Sequence, residues 1–286
     1  MKRSKIFKNI FLISVFAFLY APILVLIVYS FNDSKLRAKW GGFTFKWYLE
    51  LFNNREILNA VSTTLSIAVI STIISTILGT MAAIAIFYMK KWKRKAILNI
   101  NYIPVLNPDI VTAISLMVLY KTLIDISNRY FGLKFEFGYM TMLLSHITFV
   151  LPYIVLSILP KLKSMNKHLL EAALDLGATP FQALIKVVIP EIKSGIFTGV
   201  LIALTLSLDD FVISFFTTGH GKANLSTAIY AMAKKGVNPV INALSTIVFT
   251  SIPCGVAVLF VLGLVCCCTG PLGSREIGRA SCRERV

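Results

Sequence analysis

Apolar residues run through this chain in long blocks, without the two-residue alternation of a half-buried strand or the one-sided stripe of a surface helix. A helix that crosses a bilayer needs about 20 mostly apolar residues. Six segments reach that length: Ile10–Phe31, Val61–Tyr88, Ile97–Ile124, Tyr139–Leu159, Ile196–Thr217 and Ala243–Val265. The first follows a basic start, yet its apolar stretch is too long for a signal peptide and lacks a clear small-x-small cleavage site, so it reads as an anchor. The pattern predicts an all-α, polytopic membrane protein with six transmembrane helices.

Composition agrees with a lipid solvent. Of the 286 residues 56% are hydrophobic and 15% charged, with a mean hydropathy of +0.76; a water-soluble domain carries roughly a quarter charged residues. The net charge of +16 raises the question of nucleic acid. The basic residues, however, gather in short clusters between apolar blocks: Lys2, Arg3, Lys5 and Lys8, then Lys90, Lys91, Lys93, Arg94 and Lys95. Cytoplasmic loops of membrane proteins look like this, and no nucleic-acid partner is expected. With the N-terminus inside, the inner segments 1–9, 89–96 and 160–195 carry 4, 5 and 5 Lys or Arg, against 5, 2 and 3 in the outer segments 32–60, 125–138 and 217–242. The density of the eight-residue basic loop decides the orientation, with both termini cytoplasmic.

Other chemistry is sparse. Cys254, Cys266, Cys267, Cys268 and Cys282 have no metal-ligand or redox spacing. Gly221-Lys222 lacks the glycine that a phosphate-binding loop needs five residues earlier, and no HExxH or GxSxG string occurs. No cofactor, metal or catalytic residue is expected. Gly270-Pro271-Leu272-Gly273-Ser274 resembles a vector-derived linker, and the arginine-rich run to Val286 has no helical periodicity; residues 266–286 are expected to be a vector or assembly artefact.

Two connections are unlike plain linkers. The outer segment 32–60 holds Trp40, Gly41, Gly42, Phe43, Trp47 and Tyr48, which suit either interfacial anchoring or partner contact. The inner connection from Pro160 to Gly195 places Leu169, Leu170, Ala172, Ala173, Leu174 and Leu176 around Glu171 and Asp175, a short amphipathic helix, with Gly177 just past its end. Thr179 as N-cap, Pro180 in the first turn and Gln182 at the capping-box position restart a second helix, which Pro190 is expected to interrupt. The prediction is a helix–turn–helix on the cytoplasmic face.

Glu171-Ala172-Ala173, Gly177, Val187-x-Ile189 and Pro190 reproduce the spacing EAA-x3-G-x9-I-x-L-P, with Val187 and Ile189 as conservative departures. The chain thereby resembles the permease subunits of ABC importers, whose EAA loop docks on an ATPase. Tyr20-Ala21-Pro22, Ser30-Phe31-Asn32, Asn107-Pro108-Asp109-Ile110-Val111, Ser145-His146-Ile147-Thr148 and Ser207-Leu208-Asp209-Asp210 are similar to the PotC-type permeases of spermidine/putrescine importers. The resemblance spans about Tyr20 to Leu262 and implies a type I importer (MetI-like) fold. It divides the chain into a first helix with its outer loop (1–58), a transport domain (59–265) with the EAA loop at 167–190, and the terminal artefact. It also implies partners: a dimer of cytoplasmic ATPase subunits, a homologous second permease, an extracytoplasmic polyamine-binding protein and the lipid bilayer of a bacterial inner membrane. Glu171, Ala172, Ala173, Gly177 and Pro190 become the residues that couple to the ATPase. A permease for another small cationic or organic solute, or an ion-coupled secondary transporter, are the alternatives.

An ionisable residue at membrane depth is a functional candidate. Asp109 in the third apolar block and Asp209 and Asp210 in the fifth are expected to line the substrate route. Counted along straight helices from Ile97 and Ile196, they sit at similar depth, with Pro104 and Pro108 able to open the backbone beside Asp109. Adjacent Asp209 and Asp210 point about 100° apart, so at most one is expected to face the route squarely. Tyr102, Tyr120, Phe211 and Phe215 offer aromatic faces for an ammonium group. His146 reads as a hydrogen-bonded packing residue or a proton relay, and Gly195-x-x-x-Gly199 as a close-packing face within the chain or between subunits.

Overall fold

From Ile10 on, helix α1 (Lys2–Tyr29) is apolar all round, as a helix solvated by lipid must be. The computed structural model describes residues 2–34, 39–131, 136–166, 168–219, 222–235 and 239–251, and among these the chain is helices and connections with one isolated bridge, Asn32 to Phe43. After α1 come α2 (Lys46–Asn53), α3 (Arg55–Tyr88), α4 (Lys91–Leu106), α5 (Asp109–Phe131), α6 (Tyr139–Ser164), α7 (His168–Asp175), α8 (Pro180–Ala183), a π-helical turn (Leu184–Val188), α9 (Ile189–Asp209), α10 (Val212–Thr217) and α11 (Leu225–Lys235). A last helix, α12, covers Pro239–Ser251.

Five stretches among the described residues are long and apolar enough to span: Asn9–Tyr29, Arg55–Tyr88, Asp109–Tyr130, Tyr139–Ser164 and Pro180–Asp209. The sixth expected span is helical over Pro239–Ser251, and its remainder, with the terminal segment 266–286, lies outside the described residues. The third and fifth blocks differ from expectation, because neither is one straight helix. Ile97–Ile124 is divided between α4 and α5 at Asn107-Pro108, and Ile196–Thr217 between α9 and α10 at Asp210-Phe211.

Among the described residues the helices form two compact units, one from 2–63 and 223–251, the other from 64–222. In the first, the Trp47 side chain is 2% exposed and packs with Leu51, Ile57, Val240, Ala243 and Leu244. Its indole N–H donates to the Asn32 carbonyl at 2.7 Å, and Asn32 Oδ1 accepts from the Gly41 amide at 2.7 Å. Gly42, at φ +119°, makes the tight return that brings Thr44 N–H to Phe31 O. Trp47 is thus a core residue, whereas Trp40, Phe43 and Phe45 stay exposed.

The second unit is organised around α6, the most enclosed span. Ile154, Val155, Ile158 and Leu162 of α6 lie in one core with Ala83 and Ile86 of α3, Ala113 and Leu116 of α5, Ile192 and Ala203 of α9, and Ile213 of α10. Small residues allow the approach. A Cβ added to Gly79 of α3 would stand 2.7 Å from Ile154 Cγ2, one on Gly195 2.9 Å from Lys161 Cγ, and one on Gly199 2.6 Å from Ser157 Oγ. The Gly195-x-x-x-Gly199 face therefore serves packing within the chain, α9 on α6.

Candidate substrate route and coupling surface

Both helix breaks follow from local chemistry. Pro108 has no N–H to donate and forces Asn107 out of the helical region, to φ −77° and ψ 145°. The Asn107 amide closes α4 on Ile103 O, and Val111 and Thr112 open α5 on Pro108 O. Pro104, by contrast, is accommodated inside α4. Asp109 consequently stands in the first turn of α5, where a helix N-terminus favours a negative charge. The depth expected for Asp109 from a straight count off Ile97 does not hold, since the rise restarts at the break. Its side chain is exposed, and Tyr153 of α6 lies within electrostatic reach of its carboxylate. Phe149 packs edge-on to Tyr153, with ring centroids 5.6 Å apart.

The adjacent pair in the fifth block divides at its break. Asp209 is the last residue of α9 and is exposed. Asp210 leaves the helix at ψ 122° and turns its carboxylate onto the start of α10: Oδ1 accepts from the Ile213 amide at 3.1 Å, and Oδ2 from the Ser214 amide at 2.8 Å and the Ser214 hydroxyl at 2.9 Å. Its side chain is only 6% exposed, and His146 Nε2 lies 3.6 Å from Oδ2. The sequence implied that the two aspartates point apart but not which of them is turned inward; the structure leaves Asp209 exposed and turns Asp210 onto α10. Sequence reasoning missed Ser207 and Ser214, which hold the two ring nitrogens of His146 at 2.8 and 3.0 Å. The available signal was two serines bracketing an acidic pair within an apolar block.

The breaks lie in one framework. The parts beyond them, α5 and α10, pack on each other, while α4, α9 and α10 all pack on α6. Unwound backbone inside a membrane protein is tolerated where protein buries it or where it lines a polar cavity.

The loop after α6 has the expected helix–turn–helix form. Helix α7 ends in a Schellman motif: Gly177 N–H donates to Leu174 O, Ala178 N–H to Ala173 O, and Gly177 takes φ +85°, which glycine adopts without strain. Thr179 and Gln182 form the reciprocal capping box of α8. One expectation is corrected. Pro190 does not interrupt the second helix; the π-helical turn Leu184–Val188 widens the preceding turn, and Pro190 sits in the first turn of α9 where its missing N–H is harmless. Leu170 packs inward on the α6 core, whereas Glu171, Ala172, Leu174, Leu176 and Phe181 are exposed and Ala173 is half-buried. Leu176 at 89% and Phe181 at 70% exposure are large apolar side chains left uncovered on this loop. His168 Nδ1 lies 3.1 Å from Glu171 Oε2, and Lys167 falls outside the described residues.

Residues 75–268 match the family model described as binding-protein-dependent transport system inner membrane component. The chain belongs to this family, and is a multi-pass permease component of an importer in a bacterial inner membrane. It is 38% identical over 244 residues to the spermidine/putrescine transport system permease protein PotC of Escherichia coli K12, covering 85% of this chain and 89% of that one. The putrescine transport system permease protein PotI of the same organism is 36% identical, covering 83% of each. A Mycoplasma genitalium PotC homolog is 27% identical over 81% of this chain and 82% of its own. Among solved structures, a bacterial ABC transporter involved in import of the acidic polysaccharide alginate superposes with a TM-score of 0.71 at 20% identity, covering 92% of this chain and 94% of that one. That likeness establishes the fold. A shared fold does not fix the cargo, which has to be argued from the site.

Proposed function

We propose that this chain is a permease subunit of an ATP-driven polyamine importer, with spermidine and putrescine as substrates. The 38% identity to a spermidine/putrescine permease across 85% of the chain carries the reading. The exposed carboxylates at the two helix breaks support it, because a flexible polycation needs anionic partners wherever it sheds water. Asp109, beside Tyr153, and Asp209 receive the ammonium groups in turn; Asp210 holds the shape of the route.

Coupling follows from the exposed face of α7 and its turn. Exposed Glu171 and Ala172 and half-buried Ala173 set an acidic side chain beside small ones, and Gly177 and Pro190 shape the chain around them. A cytoplasmic ATPase subunit occupies that surface and hydrolyses the ATP; this chain does not. One such surface per chain against an ATPase dimer requires a second, homologous permease subunit. An extracytoplasmic binding protein delivers the polyamine on the opposite side, and both termini lie in the cytoplasm. The reading is tested by uptake of labelled spermidine into proteoliposomes holding the co-purified complex. Uptake that needs ATP inside and binding protein outside is the expected result. Uptake driven by an ion gradient alone, or of a different small cation in preference to polyamines, overturns it.

A further inference from the structure

The buried polar side chains of α3, α6, α9 and α10 form one hydrogen-bonded series whose proton order can be read bond by bond. It ends on the Asp210 carboxylate, which only accepts. The Ser214 hydroxyl gives its single proton to Asp210 Oδ2 at 2.9 Å, so its oxygen accepts from His146 Nε2 at 3.0 Å, and Nε2 carries a proton. In a neutral ring Nδ1 then accepts, and the Ser207 hydroxyl at 2.8 Å donates to it. Ser207 Oγ in turn meets Ser71 Oγ of α3 at 3.2 Å. His146 and Ser207 are each 1% exposed, and Ser71 and Ser214 are fully buried.

The placement along the chain gives this series its meaning. Ser207 lies in the last turn of α9 and Ser214 in the first turn of α10, so the imidazole joins the two sides of the break directly. Between them stand exposed Asp209 and the capping Asp210. Were the ring removed, the break would keep its Asp210 cap and the packing of α9 and α10 on α6, including the bond from Thr141 to the Thr217 carbonyl, but would lose the α6 side chain that bonds both of its sides.

We propose that His146 is a positioning residue for the substrate route: it splints the α9–α10 break through Ser207 and Ser214 and thereby fixes where Asp209 points. The inference rests on the reading of Asp209 as a polyamine ligand, and its test is chosen to stand apart from transport. A cysteine is placed at position 209 in the full co-purified complex, and its modification rate by a cationic thiol reagent is read by mass spectrometry of the peptide carrying that position. His146→Leu, which removes both ring bonds, is expected to change this rate by about tenfold, the equivalent of one lost buried hydrogen bond. His146→Gln, whose amide keeps one donor and one acceptor, is expected to bring the rate back toward the parent, and in the Asp209 background to restore uptake that His146→Leu loses. An unchanged rate in an assembled His146→Leu complex overturns the proposal. Should that variant not assemble, Ser207→Ala and Ser214→Ala each remove one tie and take the same measurement, and unchanged rates in both overturn it equally. A parent complex that imports no polyamine would sink the substrate reading while leaving the rate at position 209 to decide the splint.

Discussion

Gly199 of α9 lies against Ser157 of α6 so closely that a methyl group on the glycine would stand 2.6 Å from the serine oxygen. One turn earlier Ser157 Oγ bonds the Gly195 carbonyl at 3.3 Å, so the two helices touch by backbone as well as by side chain. Without a hydrophobic force between helices in lipid, such close approach is a main source of their association. It holds α9, and with it the acidic end at Asp209, at a fixed height on α6.

Replacing Gly199 by Val is expected to destabilise the chain itself by about 1–3 kcal/mol, the usual cost of overpacking a tight contact. Thermal unfolding of the purified permease in detergent measures it. A variant of unchanged stability that only fails to assemble with its partner subunit would place the glycine face between subunits.

Gly177 has φ +85°, yet nothing lies within 4 Å of an added Cβ. Gly177→Ala is therefore expected to cost about 1–2 kcal/mol, from backbone strain alone. Gly177→Asp adds charge and bulk on the exposed turn and is expected to weaken retention of the ATPase subunit further while membrane insertion persists. Co-purification ratios of the two variants check this; equal retention in Gly177→Asp and the parent would remove the turn from the docking surface.

Asp109→Asn and Asp209→Asn keep side-chain shape and remove charge. Each is expected to lower polyamine uptake about tenfold or more, through loss of a charge-assisted hydrogen bond. Asp210→Ala acts differently. It removes the cap of α10 and is expected to lower stability by about 0.5–2 kcal/mol, visible in the melting temperature of the complex. Normal uptake in both Asn variants would take these carboxylates out of the route.

Orientation is open to labelling of intact cells by a membrane-impermeant thiol reagent. A cysteine replacing Lys46, at the start of α2, is expected to react from outside, and one replacing Lys93, in the basic first turn of α4, to be protected. Reaction at position 93 from outside would invert the topology.

Much of this protein is set by its sequence alone, because lipid permits so few solutions. Backbone groups that cannot reach water must bond within their own helix, so long apolar blocks such as Tyr139–Leu159 announce helices. The Gly177 bend and the Thr179–Gln182 capping box were equally legible, since both are made of neighbours along the chain. What lay beyond the sequence was every choice between residues alike in type. Pro104 and Pro108 look equivalent, yet only Pro108 breaks the helix. Asp209 and Asp210 are adjacent and identical, yet one is exposed and the other caps α10 beside His146. Trp47 had the look of a membrane-surface anchor and proved to be core. These outcomes depend on partners far away in sequence: Ser207 lies 61 residues from the histidine it bonds. Only the packing of α9 and α10 on α6 brings such partners within reach, and no local pattern encodes it.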